Sequence, residues 1–367
     1  TYTWRLLPVG GYVRMAGRAE TQEESIRPGM TVIVVVVDNE ITRINLSERA
    51  ELVGGRAITV NRVDLVDAMY LEGYWDNNES ELVRLSVNHD ASVIEADGTE
   101  VLVAPRDTHI ESAKLWQRAI VNFAGPMNNF ILGFVLFIGV SLAMPGVSTT
   151  TIASFSKDSP AQVVGLKKGD EIVAIDGVNM SSWAKLKETI QDAPAETLKI
   201  KVERGNTAKT VTVKTKSVTS SGTTYGQIGV LPKSSTAIKD RLWYGVTTTG
   251  RAFTQIIRAI ANLVNGFSLN KLGGPVSIYK NTETVSSYGI ISIVTFMAWL
   301  SINLGLMNLL PIPALDGGKL LLNLIEAIIR RPIPEKVETT VTLVGAAFLV
   351  LLMIAVTGND IVRYFFK

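Results

Sequence analysis

Asn308–Ile329 reads NLLPIPALDGGKLLLNLIEAII. An acid, Asp316, stands here between two prolines and two glycines at the end of a nearly unbroken apolar run. An ionisable residue in a membrane segment is costly unless paired or hydrated, so its presence points to function. Backbone broken by Pro and Gly is tolerated at membrane depth only where it is buried in protein or lines a wet cavity. A second stretch has the same character. FAGPMNNF (Phe123–Phe130) places a Gly-Pro break and two amides, Asn128 and Asn129, inside another apolar run. Two broken, polar-bearing helices suggest one shared aqueous cleft.

The rest of the chain supports a membrane setting. It has 367 residues, 47% of them hydrophobic, and a net charge of +2. A span needs about 20 predominantly apolar residues. Three segments qualify and give expected spans at 116–145, 287–312 (with the LDG motif at its end) and 340–358. Three such runs set aside a large soluble core. Lys114 and Arg118 precede the first span, and Arg330, Arg331 and Lys336 lie between the second and third. Positive residues favour the cytoplasmic side. Residues 1–115 are then expected in the cytoplasm and 146–286 outside, in a multi-pass membrane protein. Arg363 and Lys367 argue weakly the other way. Cysteine is absent, which excludes disulfides and thiolate zinc sites. No basic stripe is interleaved with aromatics, so nucleic acid is not an expected partner, whereas the lipid bilayer is.

Between the spans, residues 18–115 read as a β-rich domain, with strands such as TVIVVVV (Thr31–Val37). Region 1–17 contains LLPVGGYVRMAG (Leu6–Gly17), a membrane-associated hairpin around Gly10-Gly11. It is either a plain surface hairpin or an open edge that accepts an extended chain. Residues 148–216 resemble a PDZ domain through GL-x-x-GD-x-I-x-x-I-D-G (Gly165–Gly177). There, EIVAI is a strand, WAKLKETIQ a helix, and Gly205-Asn206 a hairpin turn. Residues 217–236 are Ser/Thr/Gly-rich and read as a linker. Residues 237–286 hold an amphipathic helix and a connection. The helix lies either at the outer interface or against the neighbouring core. Residues 313–339 read as a cytoplasmic loop. The fold class is a polytopic α-helical membrane protein with a cytoplasmic β-rich domain and an extracellular α+β PDZ domain.

LPVGGYVRM, FAGPMNNF, a PDZ module and N-x-x-P-x-P-x-L-D-G-G, in this order, resemble the bacterial site-2 protease family. These are intramembrane zinc metalloproteases, and the single PDZ domain resembles the Gram-positive branch. The resemblance implies that Asp316 is a Zn2+ ligand beside two histidines of an H-E-x-x-H helix. It implies that Gly10, Gly11, Tyr12, Val13, Arg14 and Met15 receive substrate as an extended strand. It also makes Asn129 and Asn308 candidate catalytic amides, holding substrate backbone or an oxyanion. The implied substrates are single-span membrane proteins or signal peptides, cut in regulated intramembrane proteolysis.

One departure is large. Neither histidine, His89 or His109, sits in an H-E-x-x-H motif. The expectation is therefore a four-span natural protein whose zinc-binding first span precedes Thr1. The competing reading is a catalytically inactive PDZ-bearing receptor for membrane-active, bacteriocin-like peptides. A transporter is disfavoured, because the spans are few and do not repeat.

Overall fold

The computed structural model describes residues 26–47, 52–75, 81–220, 223–266, 268 and 272–366. The Gly10–Met15 hairpin lies outside them. The chain divides into two compact units, Thr1–Val121 and Asn122–Lys367.

The first unit is a β domain. Its strands are β1 (Thr31–Val37), β2 (Glu40–Asn45), β3 (Arg56–Asp64), β4 (Tyr70–Trp75), β5 (Leu82–Ile94) and β6 (Glu100–Leu102). They run in the order β2-β1-β3-β4-β5-β6, and β2 also pairs in parallel with β5, so the sheet closes on itself. Alternation decides which side chains go inside. In β1, Val32 and Val34 are buried while Thr31 and Ile33 face out. Ile41, Ile44, Ile58, Val60 and Leu71 belong to the same core. The β1–β2 turn, Asp38-Asn39, takes φ of 50° and 68° at its two central residues, the double left-handed form that suits a two-residue hairpin.

Helix α1 (Leu115–Ala143), most of which belongs to the second unit, leads into a sheet module. The helix runs on through Pro126 without a break, contrary to the expected interruption. The backbone bond that proline forfeits is one of many in a 29-residue helix, and α1 carries it. The module comprises β7 (Val147–Phe155), α2 (Pro160–Val163), β8 (Glu171–Ile175), β9 (Val178–Asn179), α3 (Trp183–Gln191), β10 (Thr197–Arg204) and β11 (Thr207–Lys214). Three more strands follow: β12 (Lys216–Ser220), β13 (Thr223–Gln227) and β14 (Val230–Ser235). The stretch expected as a linker, 217–236, is therefore mostly strand. β12 and β13 form a hairpin, and β14 adds to β7 to complete the order β11-β10-β8-β7-β14. Ser182 caps α3 by accepting the Lys185 N–H at 3.3 Å, and Leu186 and Ile190 face the core. Burying each of them is worth about 1.5–3 kcal/mol. Asp170 is fully buried and accepts Nε and Nη2 of Arg204 at 2.6 and 2.8 Å.

Among the described residues, five further helices belong to this unit: α4 (Ile238–Asn265), α5 (Pro275–Ser286), α6 (Ile290–Asn308), α7 (Asp316–Ile329) and α8 (Glu335–Phe365). α7 occupies most of the expected 313–339 loop; its apolar positions are helically spaced, and the charges come only at its ends. Among the described residues, α1, α6 and Lys336–Phe365 are long and apolar enough to cross a membrane. α4 settles against its neighbours. Ala252 and Ile256 share a buried cluster with Phe137 of α1 and with Ala298 and Ile302 of α6. The Phe130 and Phe253 ring centroids lie 4.8 Å apart. Arg241 donates to the carbonyls of Leu142 and Pro145 at the end of α1, at 2.8 and 3.2 Å. Trp243 donates to the Ser181 carbonyl at 2.9 Å, and Arg258 pairs with Glu188 at 2.7 Å, so α4 also holds the sheet module.

Candidate functional site

Asp316 is the first residue of α7, preceded by extended Leu315 as the N-cap. The loop from Leu309 to Leu315 delivers it there. Leu309 and Leu310 close the end of α6 by donating to Leu306 and Met307, each at 3.1 Å. Pro311 and Pro313 supply no backbone donor, and the helix has already ended before them. Ala314 takes a left-handed φ of 77°, which turns the chain, and the Leu315 N–H returns to the Ile312 carbonyl at 3.1 Å. The two glycines after Asp316 are then required by contact. A Cβ on Gly317 would strike the carbonyl oxygens of Leu309 and Leu310, and one on Gly318 the carbonyl of Ile312. The L-D-G-G run thus lets α7 start hard against its own approach loop.

The carboxylate is half-buried and faces α1. A Cβ on Gly125 would come within 3.0 Å of Asp316 Oδ2. The two stretches singled out in the sequence therefore meet. Asn129 lies one turn beyond Gly125 on the same face of α1. Its carbonyl accepts the Ser301 hydroxyl of α6 at 2.7 Å. Gly305 of α6 packs on the Phe130 ring and the Pro126 carbonyl. Asn308 closes α6 immediately before the loop and is half-buried.

Sequence reasoning missed two further amides. Asn122, one turn before Gly125, and Asn323, two turns after Asp316, are buried with side-chain nitrogens that have no partner among the described residues. A buried amide without a partner calls for water or a ligand group. Helical spacing from Gly125 and Asp316 was the available signal for both.

The donor set fits a zinc ion in part. Asp316 offers an accessible carboxylate, a usual zinc ligand. Among the described residues, however, no group of three or more His, Asp or Glu side chains could hold a metal. His89 and His109 belong to the first unit and are engaged locally. The His89 ring lies 3.0 Å from both Asp90 and Asp107, and these carboxylates raise its pKa. His109 Nε2 lies 2.8 Å from the Ala104 carbonyl. Asp316 thus offers a carboxylate that a metal could take, and both histidines are engaged within the first unit.

Residues 1–352 match Peptidase family M50. A probable protease of Enterococcus faecalis, eep, is 43% identical over 370 residues, spanning 100% of this chain and 87% of its own length. A Lactococcus lactis protein named as a candidate zinc metalloprotease is 38% identical over 379 residues, spanning 99% and 87%. Among solved structures, the PDZ domain of an SdrC-like protein from Listeria monocytogenes is similar over 24% of this chain and 90% of its own, with 26% identity and a TM-score of 0.20. The full-length match and the high identity to metalloprotease relatives lead to one assignment: the chain belongs to peptidase family M50, whose members are zinc-dependent.

Proposed function

We propose that the protein is an intramembrane zinc endopeptidase that cuts single-span membrane proteins or signal peptides, as a step in regulated intramembrane proteolysis. The observation that carries this reading is the placement of the Asp316 carboxylate. It starts a helix at the end of a Pro-fixed loop and faces Gly125 on a membrane-type helix. Asp316 would hold the zinc. Bound zinc acidifies a water and polarises the scissile carbonyl.

The chain's own residues supply the rest. The amides of Asn129 and Asn308, on the α1 face beside Asp316 and at the mouth of the loop, hold an unwound substrate backbone by hydrogen bonds. The resemblance makes Gly10–Met15 the candidates to receive the substrate, and they lie outside the described residues. The PDZ module, on the outer side of the membrane with residues 1–115 on the cytoplasmic side, screens what reaches the site. Asp316→Ala tests the reading. Cleavage of a reporter carrying a single span is expected to vanish while peptide binding persists. Unchanged cleavage removes Asp316 from the chemistry; peptide binding by a wild-type protein that cleaves nothing favours the receptor reading.

A further inference from the structure

We propose that Gly345 of α8 is a positioning residue: the loop before Asp316 is seated on it, and the seat sets where the carboxylate stands. The inference rests on the reading of Asp316 as a metal ligand. A Cβ on Gly345 would fall 2.5 Å from Pro313 Cβ and 2.6 Å from its carbonyl carbon, and closer still to its carbonyl oxygen. These are backbone and ring atoms, which do not swing aside as the tip of a long side chain does.

The loop passes such a displacement on. Pro313 has a fixed φ. Ala314 is held left-handed, and the Ile312 N–H is tied to the Leu310 carbonyl at 2.7 Å. Asp316 follows only three residues later, with Gly317 and Gly318 already touching the carbonyls behind them. The carboxylate is therefore bracketed, by Gly125 in front and by the seated loop behind. The seat has an anchor of its own. About 22 Å along α8 from Gly345, at 1.5 Å per residue, Asp360 is fully buried. It accepts the N–H groups of Gly274 and Ser277 at 2.9 Å and the Ser277 hydroxyl at 2.8 Å. This fixes the start of α5 on α8. α5 leads into α6, α6 into the loop, and the loop returns to α8, so the supports of Asp316 form a closed ring.

The test uses the intact protein in detergent, with Zn2+ as the added probe. Residues 1–367 contain no cysteine, so Ala314→Cys is their one thiol and reports on the loop. Zinc affinity is read by chelator competition and loop exposure by the rate of maleimide labelling at position 314. Gly345→Ala is expected to weaken zinc about 10–100-fold, the usual effect of disturbing what orients a ligand, and to speed labelling severalfold. Gly245→Ala, whose Cβ would meet Ile138 at 2.6 Å near the other end of α1, serves as the packing control and should change neither.

Zinc affinity in Gly345→Ala equal to that of wild type, or no weaker than in Gly245→Ala, overturns the proposal. If Gly345→Ala fails to fold, Pro313→Gly alone unseats the loop without adding an atom, and unchanged zinc binding and labelling there overturn it as well. If Asp316→Ala leaves zinc affinity intact, the metal reading of Asp316 fails, and the labelling rates still decide whether the seat exists.

Discussion

Replacing Gly125 by alanine separates the geometry of Asp316 from its chemistry. The added Cβ stands 3.0 Å from Asp316 Oδ2 and, among the described residues, meets nothing else within 4 Å. An ordinary contact begins at 3.4 Å, so the carboxylate must retreat by about 0.4 Å. That is cheap for the fold, because only the tip of one side chain moves. A rotation of about 30° away from its rotamer costs about 0.5–1.5 kcal/mol. For a metal ligand the same retreat is large, since ligand distances hold to within about 0.2 Å. Gly125→Ala should therefore fold with a melting temperature close to that of wild type and lose about 10–100-fold in zinc affinity and in cleavage. The assay pairs thermal unfolding with zinc competition and reporter cleavage on the same preparation. Wild-type zinc affinity and cleavage in a folded Gly125→Ala protein would refute the reasoning, because the carboxylate would then not be aimed at Gly125. A large loss of stability would refute it differently, by showing that the contact is more than the tip of one side chain.

Three further outcomes are expected. Asp170→Asn breaks a buried charge pair in the sheet module; such breaks cost about 3–5 kcal/mol, and the low end applies because Arg204 is 35% exposed and can turn to water. Hydrogen exchange of the β8 amides should report it. The hydrogen bond from Arg204 lowers the Asp170 pKa. Its stabilisation is therefore present above about pH 3.9 and lost as pH falls through the lower folded value; β8 protection that holds unchanged through that acid range would contradict this. His89 should titrate above the free imidazole value of about 6.5, because hydrogen bonds to Asp90 and then Asp107 favour the imidazolium. Whatever it stabilises is present below that value and lost as pH climbs through the raised one, and Asp107→Asn should bring the NMR midpoint down. Asp360→Asn removes the charge that holds the start of α5. Exchange at the Gly274 and Ser277 amides should then quicken by about 10-fold or more, one lost hydrogen bond to a charged group being worth about 1.5–3 kcal/mol.

Local signals in the sequence carried far in this chain. β1, β8 and α3 fall at the residues their periodicity indicates, and Gly205-Asn206 turns the β10–β11 hairpin, because each depends only on near neighbours. What depends on distant partners was hidden. Ser and Thr in 217–236 suggested a linker, yet β14 is fixed by its register on β7, some 80 residues earlier, with irregularities around Pro232 that blur any alternation. α7 was masked by the prolines and glycines that open it. At the site, Asp316 announced itself as an acid in apolar surroundings. Its contact with Gly125 and the seat at Gly345 could not be read, because a glycine in an apolar helix gives no sign of which neighbour it admits.

The pairing of β14 with β7 has an architectural consequence. Val147, just after α1, stands opposite Ser235, just before α4. Chain enters and leaves the sheet module at a single doorway, on two neighbouring strands a few ångströms apart. The module is thus an insertion hung on one hinge and not a link in series between two helices. A pull between α1 and α4 would peel β14 from β7 before it strained the module core. By the same geometry, a two-residue turn could close the doorway in place of the whole insertion. Relatives with a different domain, or none, between the corresponding helices would then need no rearrangement around Asp316.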